Sequence, residues 1–266
     1  DILRAPSNSS PTRGITRFTT GHTGYTNRLS AASTPFGGSG PGWCGAWMEG
    51  TDVTEHEART IVCQAGKRMA ESGLVAGTWG NVSQRVNENQ MIITPSGMNY
   101  FKLDPDDMVL VDLDTEKPYG RWKPSIETPL HAAILRTRPA INAVIHTHST
   151  YACVVAAARK PIPPILDDMV QIIGGSVRVA NYALPGSKEL VAGALEALEG
   201  RNAVILANHG PVCLGRNMDE AFTACQVLEK AAIAFIQSQA LGGAVPLDDA
   251  DVDFMRRYFI EKYGQR

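Results

Sequence analysis

No segment of the 266-residue sequence is apolar for long enough to cross a bilayer, and its first residues show no basic start leading into a hydrophobic stretch. Neither insertion nor secretion is therefore expected, and a cytoplasmic location is. Lys/Arg runs interleaved with aromatics are missing too, and a formal net charge of −2 supplies no basic field, which excludes a nucleic-acid surface. There is no C-x-x-C pair. The cysteines, Cys44, Cys63, Cys153, Cys213 and Cys225, are odd in number in a chain long enough to fold without covalent staples, so they read as reduced, small core residues. What is present is a 44% hydrophobic composition at a length that can bury a sizeable core, which suits a globular domain with a small-molecule partner.

Residues 1–50 are rich in Ser, Thr, Gly, Pro and Asn without sustained periodicity, and are expected to form an irregular, flexible arm. Its GGSGPG run, Gly37 to Gly42, has neither a preceding strand nor a following Lys-Ser/Thr, so it reads as linker rather than nucleotide loop. The catalytic domain is expected over 51–266. Apolar residues recur at helical spacing from Thr54 to Glu71, from Asn217 to about Ala240 and from Ser187 to Glu199. Strand-like runs cover 91–94, 108–113, 141–148, 176–180 and 203–207. The interspersion of the two kinds, without an internal repeat, points to a layered α/β domain.

Chemistry concentrates in the histidines. Side chains two apart on a strand leave the same face, so a strand over 141–148 would set His146 beside His148. Such pairs also occur as ordinary polar residues on a strand face, and a metal needs a third ligand. Asn208-His209-Gly210, at the end of another strand-like run, can supply it. Three neutral imidazoles with an open fourth position describe a catalytic zinc site. His22 falls in the arm and His56 in the first turns of a helix, where exposure is the default. His131, four residues after Glu127, would share a helical face with it, either steadying the carboxylate or packing half-buried.

The ordered set Gly80-Asn81-Val82-Ser83, Thr94-Pro95-Ser96-Gly97, Pro124-Ser125-Ile126-Glu127, His146-Thr147-His148, Asn208-His209-Gly210 and Lys262-Tyr263-Gly264 resembles the class II sugar-phosphate aldolase and adducin family, most of all its branch acting on L-fuculose 1-phosphate. The resemblance spans about 52–266. It implies a three-layer α/β/α sandwich around a mixed, largely antiparallel sheet, and a homotetramer with active sites between subunits. It assigns His146, His148 and His209 to Zn2+ and Glu127 to acid/base catalysis. Asn81, Ser96, Gly97 and Ser125 fall on phosphate-binding positions, and Tyr263 on a tyrosine that serves the adjacent subunit's site. The reaction implied is reversible cleavage of a ketose 1-phosphate to dihydroxyacetone phosphate and an aldehyde through a zinc-stabilised enediolate.

Two departures bear on selectivity. Ile126 stands where the family often has a small hydroxyl residue, and Ile165 to Met169 lacks a tyrosine the family carries after the H-x-H strand. Thr128-Pro129-Leu130-His131 and Tyr263-Gly264-Gln265 resemble instead the L-ribulose-5-phosphate 4-epimerase branch, although that branch has Asp where this sequence has Glu127. The same scaffold also serves a methylthioribulose-phosphate dehydratase and a non-catalytic, adducin-like interaction module.

Overall fold

A computed structural model of the protein describes residues 53–264. The expected arm, with its GGSGPG run, lies outside them. Helix α1 (Glu55–Glu71) starts where the sequence places it. The Thr54 hydroxyl accepts from the Glu57 N–H while the Glu57 carboxylate accepts from the Thr54 N–H, which satisfies two end amides reciprocally. The chain continues through β1 (Asn81–Asn87), β2 (Gln90–Ile93), β3 (Val109–Asp112), β4 (Pro118–Tyr119), α2 (Thr128–Thr137), β5 (Ala143–His146), α3 (Thr150–Ala158) and α4 (Asp167–Ile173). It closes with β6 (Arg178–Ala180), α5 (Lys188–Leu198), β7 (Ala203–Leu206), β8 (Gly210–Gly215), α6 (Met218–Ser238) and α7 (Asp249–Lys262). Ser187 and Asn217 cap α5 and α6, their side chains accepting from the N–H groups of Leu190 and Glu220.

The strands form one sheet in the order β4-β3-β2-β1-β5-β8-β7-β6, antiparallel except for the parallel pair β6 and β7. Alternate residues feed two cores. Ala143, Ile145, Ala203, Ile205 and Cys213 join the layer of α1, α3, α4 and α6, whereas Val144, Val204, Leu206, Val212 and Leu214 pack against α2 and α5. This is the expected three-layer α/β/α arrangement around a mixed sheet. Its centre is β5, flanked by β1 and β8, with His146 paired to Asn81 on one side and to Val212 on the other.

Strands β1 and β8 were not expected from the sequence. Asn81, Ser83 and Gln84 of β1 are polar yet buried, which hides its inward face, and β8 opens on Gly210-Pro211, residues that read as a turn. No helix among the described residues is long and apolar enough to cross a membrane.

Candidate metal centre

His146 ends β5 and is fully buried on the α2 side of the sheet. Its Nδ1 lies 3.0 Å from the Pro211 carbonyl, which can only accept, so Nδ1 carries the proton and Nε2 is left with a bare lone pair. His148 lies beyond the last paired residue of the strand, so simple strand alternation does not place it. Two further bonds extend the exit: the Thr147 N–H donates to the Pro211 carbonyl and the His148 N–H to that of Leu74. The two Nε2 atoms come to 2.9 Å. His209 enters from the tight β7–β8 connection, where Asn208 takes φ +57°. The three rings meet edge to face, with centroids 4.7 to 5.0 Å apart.

Two glycines make this approach possible. A Cβ on Gly210 would lie 2.3 Å from the Thr147 carbonyl oxygen, and one on Gly80 would lie 2.7 Å from that of His146. Both strands flanking β5 can close on its end only because these positions lack side chains.

Glu127 is the residue immediately before α2, and its side chain turns inward, 3% exposed, rather than capping the helix. One carboxylate oxygen, Oε2, accepts from Asn81 Nδ2 at 2.8 Å and lies 3.2 Å from His146 Nε2; Oε1 is 3.8 Å from His209 Nε2. Burial pushes this carboxyl upward, but His146, the Asn81 amide and His209 outweigh it and hold it below the usual carboxylate range. Burial, with repulsion from neighbouring rings, lowers His148 to about 4 and lowers His209 as well. His148 and His209 thereby favour the neutral form, the one in which an imidazole ligates a metal.

The turns expected to hold phosphate are laced together beside this group. Pro95 and Pro124 form a bridge; the Ser96 N–H donates to the Lys123 carbonyl and the Ser125 N–H to that of Thr94. Thr94 in turn bonds Val82, next to Asn81. Ser125 is buried, and Ser96 and Gly97 are exposed, Gly97 with φ +68°. Tyr263 is not among these residues: it follows α7, 59% exposed, against Phe259.

Residues 60–236 match the family model described as class II aldolase and adducin N-terminal domain. The chain belongs to this family. A 5-deoxy-D-ribulose 1-phosphate aldolase of Bacillus thuringiensis is 37% identical over 215 residues, 80% of this chain and all of the relative. An L-ribulose-5-phosphate 4-epimerase of Salmonella typhi is 32% identical over 219 residues, 76% of this chain and 93% of the relative. Among solved structures, an L-fuculose 1-phosphate aldolase superposes with a TM-score of 0.75 at 36% identity, covering 79% of this chain and all of the other. Its aldolase relatives make the protein an enzyme of the class II, metal-dependent aldolase kind, a lyase.

The residues fit a metal ion. The ligating atoms of His146, His148 and His209 all lie within 4.8 Å of one another, and two ring nitrogens at 2.9 Å need a proton or a cation between them. Glu127 Oε1 is buried beside them without a hydrogen-bond partner. Several contributors escaped sequence reasoning. The Pro211 carbonyl leaves no trace in side-chain identities, and Trp79, with its ring 5.9 Å from that of His148, directly precedes a motif without belonging to it. His131 is fully buried, not half-buried, and its Nδ1 lies 2.7 Å from Ser83 Oγ rather than on Glu127.

Proposed function

We propose that this chain catalyses reversible aldol cleavage of a ketose 1-phosphate, L-fuculose 1-phosphate or a similar short deoxyketose phosphate, to dihydroxyacetone phosphate and an aldehyde. The observation that carries the reading is Glu127, its carboxyl held below the usual carboxylate range, 3.2 Å from His146 in a group of three converging imidazoles. His146, His148 and His209 would hold the ion, zinc by ligand type. Such an ion supplies the Lewis acidity that carbon–carbon cleavage next to a carbonyl requires.

The remaining work falls to the protein. In cleavage, breaking the C3–C4 bond leaves electron density on C3, and Glu127 returns a proton there; in synthesis it removes that proton. A carboxylate shifted downward is ionised at neutral pH and so available as the base. Ser96, Gly97 and Ser125 would receive the phosphate through N–H groups and hydroxyls in their linked turns, with Asn81 adjacent. Tyr263 would reach the aldehyde oxygen in a neighbouring subunit of a homotetramer. The relatives named for 5-deoxy-D-ribulose 1-phosphate and L-fuculose 1-phosphate share the ketose 1-phosphate head and differ in the tail, which supports the head chemistry more strongly than any tail.

Epimerisation of L-ribulose 5-phosphate is the second reading, supported by the Thr128-Pro129-Leu130-His131 motif and the epimerase relative. Incubating the zinc-loaded protein with L-fuculose 1-phosphate, 5-deoxy-D-ribulose 1-phosphate and L-ribulose 5-phosphate separates the two. Release of dihydroxyacetone phosphate supports the aldolase. Isomerised pentose phosphate without release establishes the epimerase, and no turnover of any of the three sinks both.

A further inference from the structure

The two turns expected to hold phosphate meet as an antiparallel pair, and the pairing fixes which side chains share a face. With Pro95 bridged to Pro124, the Ser96 N–H donates to the Lys123 carbonyl at 2.9 Å and the Ser125 N–H to the Thr94 carbonyl at 3.1 Å. In that register Ser96 stands opposite Lys123 and Thr94 opposite Ser125, all four on the face that the prolines leave. Directly opposed residues have Cβ atoms about 4.5–5.5 Å apart, so the Lys123 stem starts beside the Ser96 hydroxyl. Both residues line a cavity of about 430 Å³, together with Met98, Arg121 and Trp122.

The pairing also spends donors that a phosphate would otherwise take. Of the N–H groups of Ser96, Gly97 and Ser125, the first and third are bonded within the pair, which leaves that of Gly97 and the two serine hydroxyls. The Ser125 hydroxyl oxygen accepts from the Glu127 N–H at 3.2 Å, and its own proton is still there to donate. None of these donors is charged, and a dianion leaves water at high cost without a cation. Two cationic residues line the cavity. Arg121 is committed: it pairs with the buried Asp107 and lies over the Trp122 ring at 4.8 Å, while Trp122 Nε1 donates to the same Asp107 oxygen at 2.9 Å. Lys123 is exposed, and its ammonium has no partner among the described residues. A compact charge with three donors on a flexible stem suits a phosphate, and here the root of that stem is held by the Ser96 bond.

We propose that Lys123 is a specificity-determining residue: its ammonium pairs with a phosphate seated at Ser96, Gly97 and Ser125, and so selects phosphorylated ketoses over unphosphorylated ones. The inference rests on the aldolase reading of the same site. It predicts a loss in affinity for the phosphorylated head, not in turnover.

The test compares wild type, Lys123→Gln and Lys123→Arg in exchange of the C3 hydrogen of dihydroxyacetone phosphate with deuterated water, followed by NMR at varied substrate and at low and high salt. Unphosphorylated dihydroxyacetone is run beside it, and calorimetric titration with dihydroxyacetone phosphate gives Kd directly. Thermal melting and zinc stoichiometry establish that each protein is intact. Lys123→Gln is expected to raise KM and Kd for dihydroxyacetone phosphate about tenfold, with the saturated rate changed less than about twofold and kcat/KM for dihydroxyacetone unchanged. Lys123→Arg keeps the charge and should recover most of the affinity. Because the contact is an exposed ion pair, salt should weaken binding to wild type and act less on Lys123→Gln. KM and Kd within about twofold of wild type in Lys123→Gln would overturn the proposal. Equal losses with both substrates would reduce Lys123 to shaping its turn and overturn it as well. Absence of exchange in zinc-loaded wild type would instead refute the aldolase reading itself, and this inference with it.

Discussion

Gly210→Ala probes how the metal ligands are held without altering any ligand. The added Cβ would lie 2.3 Å from the Thr147 carbonyl oxygen and 3.4 Å from His146 Cε1. The obstacle is backbone, in the segment between two ligands, so relief requires the end of β5 and the start of β8 to part by roughly 1 Å. Overpacking of this kind costs about 1–3 kcal/mol, and for a domain of this size each kcal/mol lowers Tm by about 2–4 °C. The same displacement loosens the Pro211 carbonyl from His146 Nδ1 and shifts His209, one residue away. Disturbing such supporting contacts weakens a metal site by about 10- to 100-fold. Calorimetry with excess chelator reads the first effect and competition titration against a zinc-sensitive dye the second. Gly200→Ala is the control, because its φ is +71° but nothing lies within 4 Å of the added carbon. It should lower Tm and leave zinc affinity alone. Zinc affinity of Gly210→Ala within about threefold of wild type would refute the claim that glycine closeness sets the triad.

Glu127→Gln should depress C3 hydrogen exchange in dihydroxyacetone phosphate by about 10²- to 10⁴-fold while zinc stoichiometry stays intact; normal exchange would remove Glu127 from the mechanism. Acid stability tests His131, which burial lowers from 6.5 to about 3. Because its pKa is depressed in the folded state, the unfolded chain binds the extra proton below 6.5, and stability falls as the pH drops from there toward 3. Between pH 7.5 and 5, metal-free wild type should lose on the order of 2 kcal/mol more than His131→Gln in urea titrations, and equal losses would contradict a buried neutral imidazole. Removing residues 263–266 should cut turnover without lowering Tm, since α7 itself packs on α4. Undiminished turnover would show Tyr263 to be incidental.

Sequence periodicity located α1, α5 and α6 because those segments obey local rules, chiefly a stripe of apolar residues at helical spacing. The same rules fail for β1, where the polar residues Asn81 and Ser83 point inward to serve Glu127 and His131. They fail again at β8, where Gly210-Pro211 is a turn signal used for close strand approach. The histidines were legible because three imidazoles at strand ends are chemically conspicuous. The reason they converge was only partly legible, since strand pairing stops at His146 and His148 arrives through backbone bonds to Pro211 and Leu74. Side-chain identity alone does not encode a carbonyl contact. Even so, the six short motifs mark both the carboxylate and the turns beside it, because each needs a particular residue type at a fixed bend.

The central claim is that His146, His148 and His209 hold one divalent ion on which carbon–carbon cleavage depends. Elemental analysis of the purified protein, together with His209→Ala, tests it most directly, with the release of dihydroxyacetone phosphate measured on the same samples. The prediction is about one zinc per chain in wild type. Its removal by chelator should abolish release and its return restore it, and His209→Ala should retain little metal. Wild-type protein that carries no stoichiometric metal and takes up none on incubation, or that cleaves ketose 1-phosphates equally well without it, would contradict the claim.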